Sequence, residues 1–149
     1  MNHHCKGDKL PVLIAEDDFD DRLLLEEAFS SYKDLCELYF VKDGEELMEY
    51  LHRRGRYSDP DSSPVPGLIL LDLNMPKKDG RQALAEIKED PLLRGIPLVV
   101  WTTSALEEDK LRCIGAGADG YVTKPSSFYE LNEAIKTLYT DWLGAAGCR

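Results

Sequence analysis

The segment Leu68–Gly80, LILLDLNMPKKDG, decides the fold. Its apolar residues run without interruption into Asp72, and a proline-containing turn follows. A run of that length, closed by a carboxylate and then a breaker, predicts a buried parallel strand whose last side chain emerges at the carboxyl edge of a sheet. Ligands bind at that edge in open α/β sheets, so Asp72 is the first candidate for chemistry.

The same pattern recurs upstream, where Pro11–Ala15 (PVLIA) exits into Glu16-Asp17-Asp18. Phe19–Phe29 then takes helical spacing, with Leu24, Ala28 and the neighbouring leucines facing inward and Asp20, Asp21, Glu26 and Glu27 outward. The acids of its first turn suit the helix dipole, and Asp18 is assigned to capping. Cys36–Val41 (CELYFV) predicts a second strand, Asp43-Gly44 a turn or cap, and Glu45–Arg53 a second helix. Arg54–Gly67 has no periodicity and is rich in Pro, Gly and Ser. It predicts an exposed loop of unusual length, read as a tolerated surface insertion ahead of a partner-binding feature.

Beyond the central strand, Arg81–Lys88 predicts a helix that buries Ala83, Leu84 and Ile87 and ends at Asp90-Pro91. Pro97–Trp101 predicts a strand that exits at Thr102-Thr103-Ser104, Glu107–Ile114 a helix, and Gly120–Thr123 a short strand ending at Lys124-Pro125. A last helix starts at Ser126 or Ser127, either a good N-cap, and runs to about Leu143. Strands and helices in alternation predict one doubly wound (βα)5 domain over residues 10–143, between a flexible N-terminus (1–9) and a C-terminal tail (144–149). The flavodoxin-like strand order 2-1-3-4-5 then sets Glu16 and Asp17 beside Asp72 at the switch point and brings Thr102 and Lys124 to the same edge.

Composition bounds the function. The chain has 149 residues, 43% hydrophobic and 31% charged, enough to bury a core without metal or disulfide staples. No apolar run approaches a membrane span and the polar start lacks a signal-peptide core, which predicts a cytoplasmic protein that does not engage a membrane. A net charge of −10 argues against binding nucleic acid. Cys5, Cys36, Cys113 and Cys148 form no C-x-x-C pair and read as reduced thiols; His3, His4 and Cys5 read as solvent-exposed terminal residues rather than a metal site.

The strand exits therefore supply three carboxylates, a hydroxyl and a lysine. That inventory fits phosphoryl transfer onto an aspartate. Clustered carboxylates repel one another and need a counter-charge, which Mg2+ supplies through oxygen ligands. Asp72 would be the nucleophile, while Lys124, Thr102 and the metal offset charge on the transferring group.

At this point the chain resembles the receiver domains of two-component response regulators. The resemblance rests on Glu16-Asp17, the D-x-N-M-P-x-x-D-G run from Asp72 to Gly80, Thr102, and G-A-D-G-Y-V-T-K-P from Gly117 to Pro125, an ordered set that covers nearly the whole chain. It implies that Asp72 is the phosphoacceptor, Asp17 a direct Mg2+ ligand, Glu16 a ligand acting mostly through water, and Asn74 a ligand through its main-chain carbonyl. It also implies that Lys124 contacts the phosphoryl group, that Thr102 is the switch hydroxyl, and that Tyr121 is the switch aromatic. Counting back from Lys124 without gaps gives Thr102 rather than Thr103. Thr103 stands where such domains most often have Ala, a departure that bears on access to Asp72.

Because the sequence ends soon after the last helix, no output domain is expected. Signals would pass from a sensor histidine kinase to a downstream protein or phosphotransfer protein. The 54–67 loop, VVWTTS and KPSSF resemble the small regulators paired with phytochrome-type histidine kinases. The stripe Leu131, Ile135, Leu138 and Trp142, with Tyr139 beside it, reaches almost to the chain end and predicts a homodimer surface. Two other readings compete. A haloacid-dehalogenase-like aspartyl phosphatase would carry a second Asp where Asn74 stands, and a flavodoxin-like FMN carrier would need a phosphate loop where Glu16 and Asp17 stand.

Overall fold

Strands that are apolar on both sides fold only where both faces are covered. The computed structural model describes residues 9–143 and shows that arrangement. Strands β1 (Leu10–Ala15), β2 (Cys36–Val41), β3 (Leu68–Leu71), β4 (Leu98–Thr102) and β5 (Gly120–Thr123) alternate with helices α1 (Phe19–Phe29), α2 (Gly44–Leu51), α3 (Gly80–Glu89), α4 (Glu107–Gly115) and α5 (Phe128–Leu138). All neighbours pair in parallel, in the order β2-β1-β3-β4-β5. This is the expected doubly wound sheet.

The period-two alternation divides the strands between two cores. Val12, Ile14, Leu70 and Trp101 pack under α1 and α5 against Leu25, Phe29, Leu131 and Ile135. Leu13, Ile69, Leu71 and Val100 pack under the other helices against Leu47, Leu84, Ile87 and Cys113. Short side chains start four of the helices. Asp18, Asp43, Asp79 and Ser127 accept hydrogen bonds from the backbone N–H of Asp21, Glu46, Arg81 and Glu130, which satisfies donors that have no partner inside a helix.

Several expectations shift by a residue or a turn. In α1 the buried residues are Leu25, Ala28 and Phe29, whereas Leu24 is 46% exposed. The run Leu23-Leu24-Leu25 leaves helix phase undetermined, and packing of Leu25, Ala28 and Phe29 in the core sets it. α2 stops at Leu51 rather than Arg53, whose φ of 61° is left-handed. β4 runs one residue later than expected, so Thr102 is its last residue; Pro97 joins the sheet only as an acceptor, from the N–H of Ile69. α5 is α-helical to Leu138, and a wider π-helical turn spans Tyr139–Leu143.

The loop at 54–67 is less free than its composition predicts. A 3-10 turn forms at Gly55–Tyr57, the Tyr50 hydroxyl donates to the carbonyl of Pro64 at 2.7 Å, and Ser63 and Pro66 are buried. Arg56 and Tyr57 both reach the carboxylate of Glu46. Cys36 and Cys113 are free and buried, and burial pushes the Cys36 thiol up to about 11. His3, His4, Cys5, Cys148 and the expected tail lie outside the described residues.

Candidate functional site

The candidate residues Glu16, Asp72 and Lys124 each follow the end of a strand by one position, and a neighbouring strand still holds the main chain of each. The N–H of Glu16 donates to Val41, that of Asp72 to Ala15, and that of Lys124 to Thr102, at 2.9, 3.1 and 2.6 Å. Strand register therefore fixes where their side chains converge. Ligand oxygens of Glu16, Asp17 and Asp72 all lie within 4.8 Å of one another. Lys124 Nζ sits 2.8 Å from Glu16 Oε1 and 3.0 Å from Asp72 Oδ2.

Glu16 and Asp72 are buried and Asp17 is exposed. Burial raises the carboxyl pKa of Glu16 even against the pull of Lys124. For Lys124, burial acts to lower the pKa, but the hydrogen bonds and charges of Glu16 and Asp72 outweigh it and hold the ammonium above its ordinary value. One cation thus stands among several carboxylates. A donor set made of three carboxylates within one ion's reach fits a hard divalent cation.

The remaining predicted residues have definite places. The N–H of Asn74 donates to Asp72 Oδ1 at 3.0 Å, so the two carboxylate oxygens of Asp72 have separate partners. Thr102 is fully buried, and its Oγ1 accepts from the N–H of Ser104 at 3.3 Å. The half-buried Tyr121 donates its hydroxyl to the carbonyl of Ser104 at 2.9 Å. Ser104 is thus the backbone link between Thr102 and Tyr121, while Thr103 faces solvent. The β3–α3 loop packs tightly behind Asp72: a Cβ on Gly80 would overlap the carbonyl of Asp72 and the backbone of Leu73.

Two contacts were not foreseen from sequence. Asp21, read as a solvent-facing residue in the first turn of α1, instead places Oδ2 3.0 Å from Lys124 Nζ. Its position four residues after Asp17, one helical turn on, was the available signal. Trp101, read only as a strand residue, donates its indole N–H to Glu16 Oε1 at 3.3 Å. Nothing in the local pattern marks that pair, because 85 residues separate them.

Comparison with known proteins agrees with this geometry. The profile of the response regulator receiver domain matches residues 12–136. Response regulator Rcp1 of Synechocystis is 39% identical over 132 residues, covering 89% of this chain and 88% of Rcp1. The crystal structure of the phosphorylated cyanobacterial phytochrome response regulator RcpA superposes with a TM-score of 0.85 at 39% identity, covering 93% of this chain and 96% of RcpA. That of the Mn2+-bound form of Rcp1 gives 0.83 at 37% identity, with 94% and 99% covered. None of these matches supports the haloacid-dehalogenase reading. No described helix is long and apolar enough to cross a membrane. By profile, by identity along nearly its whole length and by the layout of its strand exits, the chain belongs to the response regulator receiver domains, the phosphoacceptors of two-component signalling.

Proposed function

We propose that Asp72 accepts the phosphoryl group from the phosphohistidine of a sensor histidine kinase. A carboxylate oxygen of Asp72 attacks phosphorus, the N–P bond breaks, and the imidazole leaves with the bonding pair. The observation that carries this reading is the Lys124 ammonium bonded to both Asp72 and Glu16 inside a cluster of carboxylates. Glu16, Asp17, Asp72 and the main-chain carbonyl of Asn74 would hold Mg2+, which when bound offsets charge on the phosphoryl oxygens. Lys124 keeps its proton throughout and contributes fixed positive charge to the same oxygens.

In the phosphorylated state Thr102 turns its hydroxyl toward the phosphoryl group and no longer accepts from Ser104. The 103–106 segment then shifts, and Tyr121 loses the Ser104 carbonyl and turns inward. The chain catalyses at most its own phosphorylation and slow dephosphorylation. It works in the cytoplasm with a phytochrome-type kinase, passes its signal to a downstream protein or phosphotransfer protein, and engages neither nucleic acid nor membrane. A homodimer through the end of α5 belongs to the same reading. Because Tyr139 stacks on Tyr32 and Trp142 is half-buried, only part of that stripe is available.

Intact-protein mass after incubation with acetyl phosphate tests the chemistry. Wild type with Mg2+ is expected to gain one phosphoryl group, and wild type without Mg2+ and Asp72→Asn are expected to gain none. A wild-type gain in Asp72→Asn would move the acceptor elsewhere. Light scattering with and without beryllofluoride tests the dimer, which an unchanging monomer would remove.

A further inference from the structure

At the amino edge of the sheet, away from Asp72, Tyr50 at the end of α2, Val65 and Pro66 ahead of β3, and Leu92 and Ile96 ahead of β4 enclose an apolar groove of about 260 Å3. Leu92 is 90% exposed and Val65 64% exposed. Two large aliphatic side chains flanking one groove form a patch that the described residues leave uncovered. Arg53 also lines the groove. Its left-handed φ of 61° is uncommon for an arginine, and that backbone sets the guanidinium over the ring of Tyr50, 6.0 Å from its centroid.

In that pose Arg53 Nη1 is shielded from water and has no hydrogen-bond partner among the described residues. A guanidinium N–H in this condition lacks an acceptor, and carboxylate is the group whose geometry and charge match it best. Arg54 and Arg94 are exposed on two of the three segments that form the groove, in a protein whose net charge is −10. Of the nearby acids, the Asp90 carboxylate is already engaged by the N–H of Leu92 at 2.8 Å, while Glu49 and Glu89 lie on helices to either side.

We propose that this groove docks a partner protein through a segment that lays an apolar side chain between Val65 and Leu92 and a carboxylate on Arg53. A half-buried guanidinium without a full set of acceptors, set beside an apolar wall, selects an acidic-apolar segment over a basic one. Val65, Pro66, Leu92 and Ile96 precede strands and Tyr50 and Arg53 lie at the end of α2, whereas Asp72, Thr102 and Lys124 lie at the opposite ends of their strands. Docking is therefore independent of the phosphoryl chemistry and available in both states. The anchored 54–67 loop forms one wall of this site through Val65 and Pro66.

Fluorescence anisotropy of a fluorescein-labelled peptide of alternating leucine and aspartate, titrated with the full chain, tests the proposal. Saturable binding is expected, weakened about tenfold or more by Arg53→Gln and by Leu92→Ser. Leu92 is too exposed for its loss to unfold the core, so the second variant stands if the first is unstable. Asp72→Asn is expected to bind as wild type, and a peptide with lysine for aspartate is expected not to bind. Amide shifts on peptide addition should concentrate at 50–53, 65–66 and 92–96. Four results would overturn the proposal: no saturable binding, equal binding of the lysine peptide, shifts centred elsewhere, or shifts at these positions that follow protein concentration without peptide and reveal a second copy there. Failure of Asp72 to take a phosphoryl group would leave this site unaffected.

Discussion

Glu16 has no exposed surface, and it accepts hydrogen bonds from the Trp101 indole, the Lys124 ammonium and the N–H of Asp18. A carboxylate cut off from water needs such partners. Trp101→Phe keeps an aromatic ring in the core and removes the indole N–H together with the pyrrole part of the side chain. The dissociation constant for Mg2+ or Mn2+, read by calorimetry, is expected to rise about threefold to tenfold, the typical net cost of one hydrogen bond. An unchanged constant would leave Trp101 a packing residue only. Glu46 is another buried acid with a network, formed by the N–H of Lys42 with Arg56 and Tyr57. Burial raises its carboxyl pKa, but those hydrogen bonds and the Arg56 charge outweigh it and hold the group below its ordinary value. Its stabilisation is therefore complete above the ordinary glutamate value of 4.5 and disappears as pH falls through the lower folded value. Denaturant melts should show Glu46→Gln less stable than wild type at pH 7, with the gap narrowing steadily below pH 4.5. A gap that does not vary with pH would show that the carboxylate charge is not responsible. These residues also mark what sequence could tell. Asp72, Glu16, Asp17 and Lys124 were legible because each follows an apolar strand. Trp101 with Glu16, and Glu46 with Arg56 and Tyr57, were not, since only tertiary packing brings them together.

The β3–α3 connection carries the tightest packing near the site. Gly44, the first residue of α2, leaves no room for a Cβ against the carbonyl of Lys78, and Gly80 leaves none against that of Asp72. Lys77 lies between them at a φ of 62°, with Nζ 3.9 Å from Asp43. The loop is thus clamped between two helix starts, and the main chain of Asn74 and Asp72 inherits that rigidity. Gly80→Ala must displace backbone rather than a flexible side chain. It is expected to cost about 1–3 kcal/mol of stability and to slow phosphoryl gain from acetyl phosphate. A variant that is destabilised yet phosphorylated at the wild-type rate would show that the clamp serves folding alone. At this scale the helices and strands were readable from periodicity and caps. The register of α1 was not, because three consecutive leucines leave the inward face open and packing settles it on Leu25, Ala28 and Phe29.

Over the whole molecule, the carboxyl edge of the sheet sets stability against function. Glu16, Asp17, Asp21 and Asp72 converge there, and Lys124 bonds three of the four. Like charges held this close oppose folding unless a cation joins them. Asp17 is the exposed member of the metal-sized triad, so Asp17→Asn removes one charge without opening a cavity. In EDTA the variant is expected to melt above wild type by a few degrees. Mg2+ binds the folded state and stabilises it by mass action, so added ion should raise the wild-type Tm steadily with concentration. The variant has lost a ligand and should respond far less, which inverts the order of the two melts at millimolar Mg2+. Calorimetric scans of both proteins across a Mg2+ series decide this. Parallel curves would mean that Asp17 contributes repulsion but no ligation, whereas a crossing assigns both the stability cost and the metal affinity to the same carboxylate.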